Sequence, residues 1–236
     1  MTGSNEPVLS APRLSTKTLP VRKIRADKST KDPSQGPYTL TPRDFVPEDD
    51  RFIQNSPYQE ADHQTDLWAL DWQQASIVLA LEVFDTNSPD YASIPYKDCF
   101  NFNETVDYLR EIVGTRAPQF EKQTYFIVAF RSKLKNLDVY TDLSHLDKAA
   151  HLEATRLGIL KYWFGFPDTE RRNLATCLWS NRIDAAKASH CPDHIEAVRM
   201  GTPMYEWFRI ECYEFTVLDG LSGWTFEQVA VPGHPQ

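Results

Sequence analysis

Gly158–Trp179 reads GILKYWFGFPDTERRNLATCLW. Tyr162–Phe166 is a short aromatic run, Pro167-Asp168 opens a polar turn, and Asn173–Trp179 returns as a second apolar run. Aromatic and apolar runs split by a loop containing Pro and Asp read as strand, turn, strand. Leu157, Ile159 and Leu160 close an amphipathic helix that feeds this hairpin.

Working outward, Thr124–Arg131 (TYFIVAFR) is apolar on both faces until Arg131, the pattern of a central strand. Ser144, with Asp147 at the third position, is expected to cap the following helix, whose buried side is Leu146, Ala149, Ala150, Ala154, Leu157 and Leu160. After the hairpin, Asn181–Ala188 begins a helix. His190-Cys191-Pro192 interrupts it, and Asp193 restarts it as far as about Thr202. Glu206–Val217 is a long strand, and Asp219-Gly220 with Ser222-Gly223 turns it back into Trp224–Val231. The order is β-α-β-β-α-β plus one added hairpin strand. That is an α+β protein with a ferredoxin-like core over 123–231. The last long strand is apolar on both sides, Trp207, Tyr213, Phe215 and Val217 against Phe208, Ile210 and Cys212. The core helices cover one face of the sheet. Either N-terminal helices or a second subunit must cover the other. The second case is a dimeric α+β barrel, and the reading here expects a homodimer through that face.

Upstream, residues 1–37 are rich in Ser, Thr, Pro and Lys and offer little to bury, so a disordered tail is expected. Residues 38–236 then form one domain, with 38–122 as its extended and helical N-terminal part. Tyr38 to Thr65 reads as extended chain lying across the domain surface. Asp71 with Gln74 makes a capping-box start for a helix that is apolar nearly all round. Asn101 with Glu104 starts another, with Val106, Leu109, Ile112 and Val113 as its stripe and Gly114 as its end.

The net charge of −8 gives little pull on phosphate backbones, so nucleic acid is not an expected partner. No apolar run approaches the ~20 residues of a membrane span. Cys99, Cys177, Cys191 and Cys212 have no paired spacing, which fits a reducing cytosol and gives no zinc motif. Glycine-rich nucleotide loops, G-x-S-x-G and H-E-x-x-H are absent from the sequence.

The candidates for chemistry are therefore scattered. His151 and Glu153 lie on the first core helix, with His151 at the edge of the buried stripe. His151 suits a general base oriented by Glu153. Arg131 ends the central strand, where its fork of donors either grips a ligand carboxylate or makes a structural ion pair. Tyr162, Trp163 and Trp179 either shape a pocket for a flat apolar ligand or belong to an ordinary core. Arg172 and Asn173 open the second hairpin strand, as turn residues or at a pocket mouth. Two functional classes follow: a cofactor-free small-molecule enzyme, or a non-catalytic binding or scaffolding module. Haem on His151 is the rival cofactor.

One set of short blocks stands out: Asp90-Tyr91-Ala92, Ile94-Pro95-Tyr96, Phe100-Asn101-Phe102, Phe130–Leu134, Leu146-Asp147 with His151, Leu160–Gly165 and Arg172–Cys177 with Trp179. In these blocks the chain resembles a fungal protein family of unknown function. It departs at Ala150, Arg171 and Asn181–Asp184. The resemblance implies a fold and no activity. By fold alone the βαββαβ order looks like the antibiotic-monooxygenase-like dimeric barrels, which include cofactor-free oxygenases, cyclases, decarboxylases and haem enzymes.

Overall fold

The computed structural model describes residues 40–231, so the tail read at 1–37 lies outside the described residues. β1 (Phe52–Ile53) and β2 (Thr65–Asp66) form a small antiparallel ribbon. α1 (Trp72–Ala80), α2 (Tyr96–Cys99) and α3 (Phe102–Val113) follow. Then come β3 (Gln123–Leu134), α4 (Tyr140–Arg156), β4 (Ile159–Phe164) and β5 (Arg172–Trp179). α5 (Arg182–Ser189), α6 (Pro192–Gly201), β6 (Tyr205–Val217) and β7 (Trp224–Val229) complete the order.

The large sheet runs β4-β5-β3-β6-β7, and every neighbouring pair is antiparallel. The βαββαβ unit β3-α4-β4-β5-α5/α6-β6 supplies the first four positions in the ferredoxin-like order, and β7 is the added strand.

Local chemistry sets most of the boundaries. The Asp71 carboxylate accepts the Gln74 N–H at 2.8 Å and starts α1. α1 is buried from Ala75 to Ala80, as its all-round apolarity requires. α3 buries Val106, Leu109, Ile112 and Val113 and stops at Gly114, where φ is +57°. Two starts differ from expectation. Asn101 spends its side chain on the Asp85 N–H and the Val83 carbonyl, so it ties α3 to the end of the α1 segment instead of capping α3. α4 begins at Tyr140, a turn before Ser144, whose hydroxyl donates to the Thr141 carbonyl inside the helix. Asp147 is therefore a mid-helix residue, not a capping one.

The two sheet faces are separate cores. Tyr125, Ile127 and Ala129 of β3 join Ile77, Leu81, Leu109 and Ile112 of the N-terminal layer. Each isoleucine or leucine among them contributes about 1.5–3 kcal/mol by leaving water. Phe126 and Trp179 face the other way and join Ala154, Ala185 and Ala188 of α4 and α5. On the face for which a homodimer was expected, the N-terminal layer of α1 and α3 covers Tyr213, Phe215 and Val217 of β6, while Trp207 at the start of β6 stays 39% exposed.

Candidate functional site

A strap over residues 54–66 runs along the outer edge of β4. The Tyr162 N–H donates to the Asn55 carbonyl at 2.9 Å, and the Asn55 side-chain amide donates to the Leu160 carbonyl at 2.8 Å. The strap thus pairs with an edge strand and satisfies part of its backbone. In doing so it carries Tyr58 and His63 onto α4.

Asp147 and His151 stand one turn apart on α4, so they share a face. Tyr162 rises from β4 toward them. Its hydroxyl donates to Asp147 Oδ1 at 2.5 Å, and the Tyr58 hydroxyl donates to Asp147 Oδ2. His63 Nδ1 and His151 Nδ1 are 2.8 Å apart, one donating to the other. The Tyr58 ring centroid lies 5.0 Å from that of His63 and 5.1 Å from that of His151, and the His151 and Tyr162 centroids are 5.3 Å apart. His63 and His151 are only 3% and 4% exposed.

Burial drives the electrostatics. It raises the Asp147 carboxyl above the usual carboxylate range, and the two tyrosine donors pull it partly back. Burial and the Asp147 charge push the hydroxyls of Tyr58 and Tyr162 well up, and those of Tyr140 and Tyr205 up to about 12. Four tyrosines thus feel one carboxylate, while the neighbouring Lys148 pairs with Glu60 and lies 5.8 Å from the Tyr58 ring centroid. His151 is held down at about 3, first by burial and then by His63, so its imidazole is neutral at pH 7.

The sheet under the first half of α4 is not closed. On the N-terminal-layer face, Ala129, Arg131, Leu174 and Thr176 are fully buried. On the α4 face, their neighbours Val128, Phe130, Ala175 and Cys177 retain exposure although β3 and β5 are inner strands. Tyr162 and Phe164 of β4 and Phe208 of β6 do the same. These side chains leave the α4 side of the sheet incompletely covered, and Tyr162 links that side to Asp147. Asn173 lies on this face of β5, opposite Ser132, and its buried Oδ1 has no partner. His151 Nε2 is likewise buried and unpartnered.

Of the residues singled out in sequence, His151, Tyr162 and Asn173 belong to this region. Trp179 shares the face but sits deeper, with its indole N–H 3.1 Å from Cys177 Sγ. The others are elsewhere. Glu153 accepts the Asp193 and His194 N–H groups at 3.1 Å and caps α6, so it does not orient His151. Arg131, 1% exposed, is on the opposite sheet face, where Glu211 and the carbonyls of Tyr91 and Ile94 use its donors. Trp163 packs on that face too, its N–H on Asp85. Arg172 is locked to Asp168 and Glu170 in the hairpin. The sequence does not single out Tyr58 and His63, and it marks Asp147 only as a capping residue and as part of the family pattern with His151; its i, i+4 spacing from His151 is the signal for a shared face.

Among the described residues, no three His, Cys, Asp or Glu side chains group to hold a metal. A haem iron on His151 finds no room, because the one unpartnered ring nitrogen, Nε2, is buried and the rings of Tyr58, His63 and Tyr162 pack around the imidazole. A separate surface hollow of about 340 Å³ lies where α2 meets α3, lined by Lys97, Asp98, Asn103, Glu104 and Trp224 among others. Its charges are mixed and its polar groups face solvent. No helix among the described residues is long and apolar enough to cross a membrane.

A family model described as PB2B2.08-like matches residues 54–228. The UPF0643 protein PB2B2.08 of Schizosaccharomyces pombe is 35% identical over 187 residues, covering 76% of this chain and 85% of that protein. Among solved structures, a candidate antibiotic biosynthesis monooxygenase from Nitrosomonas europaea covers 37% of this chain and 94% of its own, at 12% identity and a TM-score of 0.33. A dimeric ferredoxin-like protein from an uncultured marine organism covers 48% and 95%, at 9% identity and a TM-score of 0.32. The fold assignment rests on the strand order given above.

Proposed function

The chain belongs to the PB2B2.08-like family, and for this member we propose a small-molecule site on the α4 side of the sheet that works by proton transfer at Asp147. The observation that carries this reading is a half-buried carboxylate held between two tyrosine hydroxyls beside a partly open sheet. A carboxyl whose affinity for protons is raised by burial is poised to take a proton from a bound compound and return it. Tyr58 and Tyr162 fix its two oxygens, each with the one proton its hydroxyl has. The lining of Val128, Phe130, Ala175 and Phe164 suits an apolar, largely aromatic skeleton.

The reactions that need only this are isomerisation, cyclisation, decarboxylation and cofactor-free oxygenation. His151 is a positioning residue in this scheme. It is neutral and buried, and it holds His63 and with it the strap that delivers Tyr58. Arg131 has no part, so nothing on the opposite face grips an anionic end of the ligand.

Native mass spectrometry of the freshly purified full-length chain tests the reading by identifying a retained compound. Asp147→Asn is expected to abolish its conversion while far-ultraviolet circular dichroism stays unchanged. Conversion at the wild-type rate by Asp147→Asn would refute the assignment. A compound that wild type retains but never converts makes the region a binding site only. A strong absorption band near the blue edge of the visible in the same sample would mean haem and would overturn the cofactor-free scheme.

A further inference from the structure

We propose that β7, the free edge of the large sheet, is a docking edge for an extended basic segment of another polypeptide, which adds to the sheet as a further strand. The two edges of the sheet differ. At the β4 edge the strap meets the Tyr162 N–H and the Leu160 carbonyl, and the register shifts between Ile159 and Lys161. Among the described residues β7 has no strand on its far side, its register against β6 is unbroken, and its sequence, WTFEQV, contains neither Pro nor Lys. Natural edges are blunted by such devices, and an edge without them is a template for pairing.

The ladder shows which groups are on offer. The Leu218 N–H donates to the Gly223 carbonyl at 3.0 Å. In the register that follows, Thr225, Glu227 and Val229 turn their backbone groups toward β6, and Trp224, Phe226 and Gln228 turn theirs outward. The Leu134 N–H on the Arg171 carbonyl fixes the same alternation from the other side of β3. No partner for the outward groups is found among the described residues.

Charge selects the partner. Glu227 stands opposite Glu214 of β6 on the α4 side of the sheet, and neither is ion-paired among the described residues. Like charges directly opposed weaken a ladder, and a Lys or Arg on the next strand relieves this. Arg182 lies over the Phe126 ring, beside Glu214, but donates to the Ala230 carbonyl. On the opposite face Trp224 and Phe226 are half-buried rings packed on the N-terminal layer. A strand alternating apolar and basic residues suits both faces, with apolar side chains beside Phe226 and basic ones beside Glu227. A second copy of β7 would bring further carboxylates instead.

Amide exchange followed by nuclear magnetic resonance on the full chain tests this, with a short capped peptide of alternating valine and lysine as the probe. In the chain alone, the Trp224, Phe226 and Gln228 amides are expected to exchange fast and those of Thr225, Glu227 and Val229 slowly. The peptide should slow the first three. At low salt it should bind about tenfold tighter than its counterpart with glutamate for lysine. Glu227→Lys should reverse that preference. Gln228→Pro removes an outward donor and no bond to β6, so it should abolish binding while Thr225 and Glu227 stay protected. Outward amides already protected in the free chain would overturn the proposal: protection independent of protein concentration would mean that a segment of this chain holds the edge, and protection that grows with concentration would mean a second copy. Equal affinity for the two peptides, binding that survives Gln228→Pro, or no binding at millimolar concentration would overturn it as well.

Discussion

The buried histidine pair makes the fold acid-labile by an amount that the structure sets. His151 is 4% exposed, and burial with His63 at 2.8 Å lowers it from the usual 6.5 to about 3. Its folded value lies below its unfolded value, so the unfolded chain binds the proton first as the pH falls. The stability tied to neutral His151 is therefore complete above about pH 6.5 and is lost progressively down to about pH 3. At pH 5 the unfolded imidazole is protonated over about 1.5 pH units of the interval, which amounts to about 2 kcal/mol. The groups facing the imidazole from every side are His63 and Tyr58 of the strap, Thr155 of α4 and Tyr162 of β4, with Asp147 one turn away. Urea unfolding at pH 7 and pH 5 measures the loss in wild type and in His151→Leu. The variant is less stable at pH 7, since His63 loses its partner, but its change between the two pH values should be smaller by about 2 kcal/mol. His194, whose imidazole burial also lowers, is present in both proteins and cancels. Equal pH dependence in the two proteins would refute the reasoning.

Three further outcomes follow from the placement of the other candidates. Arg131→Met leaves two carbonyls unpaired and Glu211 with only Arg209 and Tyr213, and should cost about 2–4 kcal/mol in urea unfolding without changing the retained ligand. Glu153→Ala removes the α6 cap and should cost about 1 kcal/mol, with faster amide exchange at Asp193 and His194 and unaltered ligand binding. In Gly165→Ala the new methyl would stand 2.2 Å from the Tyr91 ring, which must move and lose its 2.6 Å bond to the Phe166 carbonyl; calorimetry should show a loss of about 1–3 kcal/mol.

The fold was legible because its signals are local. The aromatic run, the Pro-Asp turn and the apolar return at Gly158–Trp179 form a hairpin whatever surrounds it, and TYFIVAFR is a central strand in any sheet. What covers the far face was not legible. Both faces of β3 and β6 are apolar, and the sequence pattern is the same whether α1 and α3 or a second subunit fills that side. The length of β3 past Arg131 was also hidden, because Ser132 and Lys133 look like a strand end. They continue the ladder opposite Asn173 and Arg172.

The site was legible only in part, for one physical reason: its members come from segments with opposite local character. His151 and Tyr162 belong to regular elements, where periodicity marks the inward face. Tyr58 and His63 come from an irregular strap with no period, and their burial depends on that strap pairing with β4 through Asn55. Asp147 was hidden by a boundary error. Placed three residues after a helix-capping Ser144, a carboxylate is what a first turn ordinarily contains, and it looks explained. Once α4 starts at Tyr140, the same carboxylate lies mid-helix on the inward side, where it needs partners. The structure supplies them as two tyrosines from outside the helix, one from the strap and one from β4. A carboxylate that depends on residues 58 and 162 to stay buried is a product of the tertiary fold. Its raised proton affinity, and any chemistry that uses it, should disappear when the strap detaches and before the sheet unfolds.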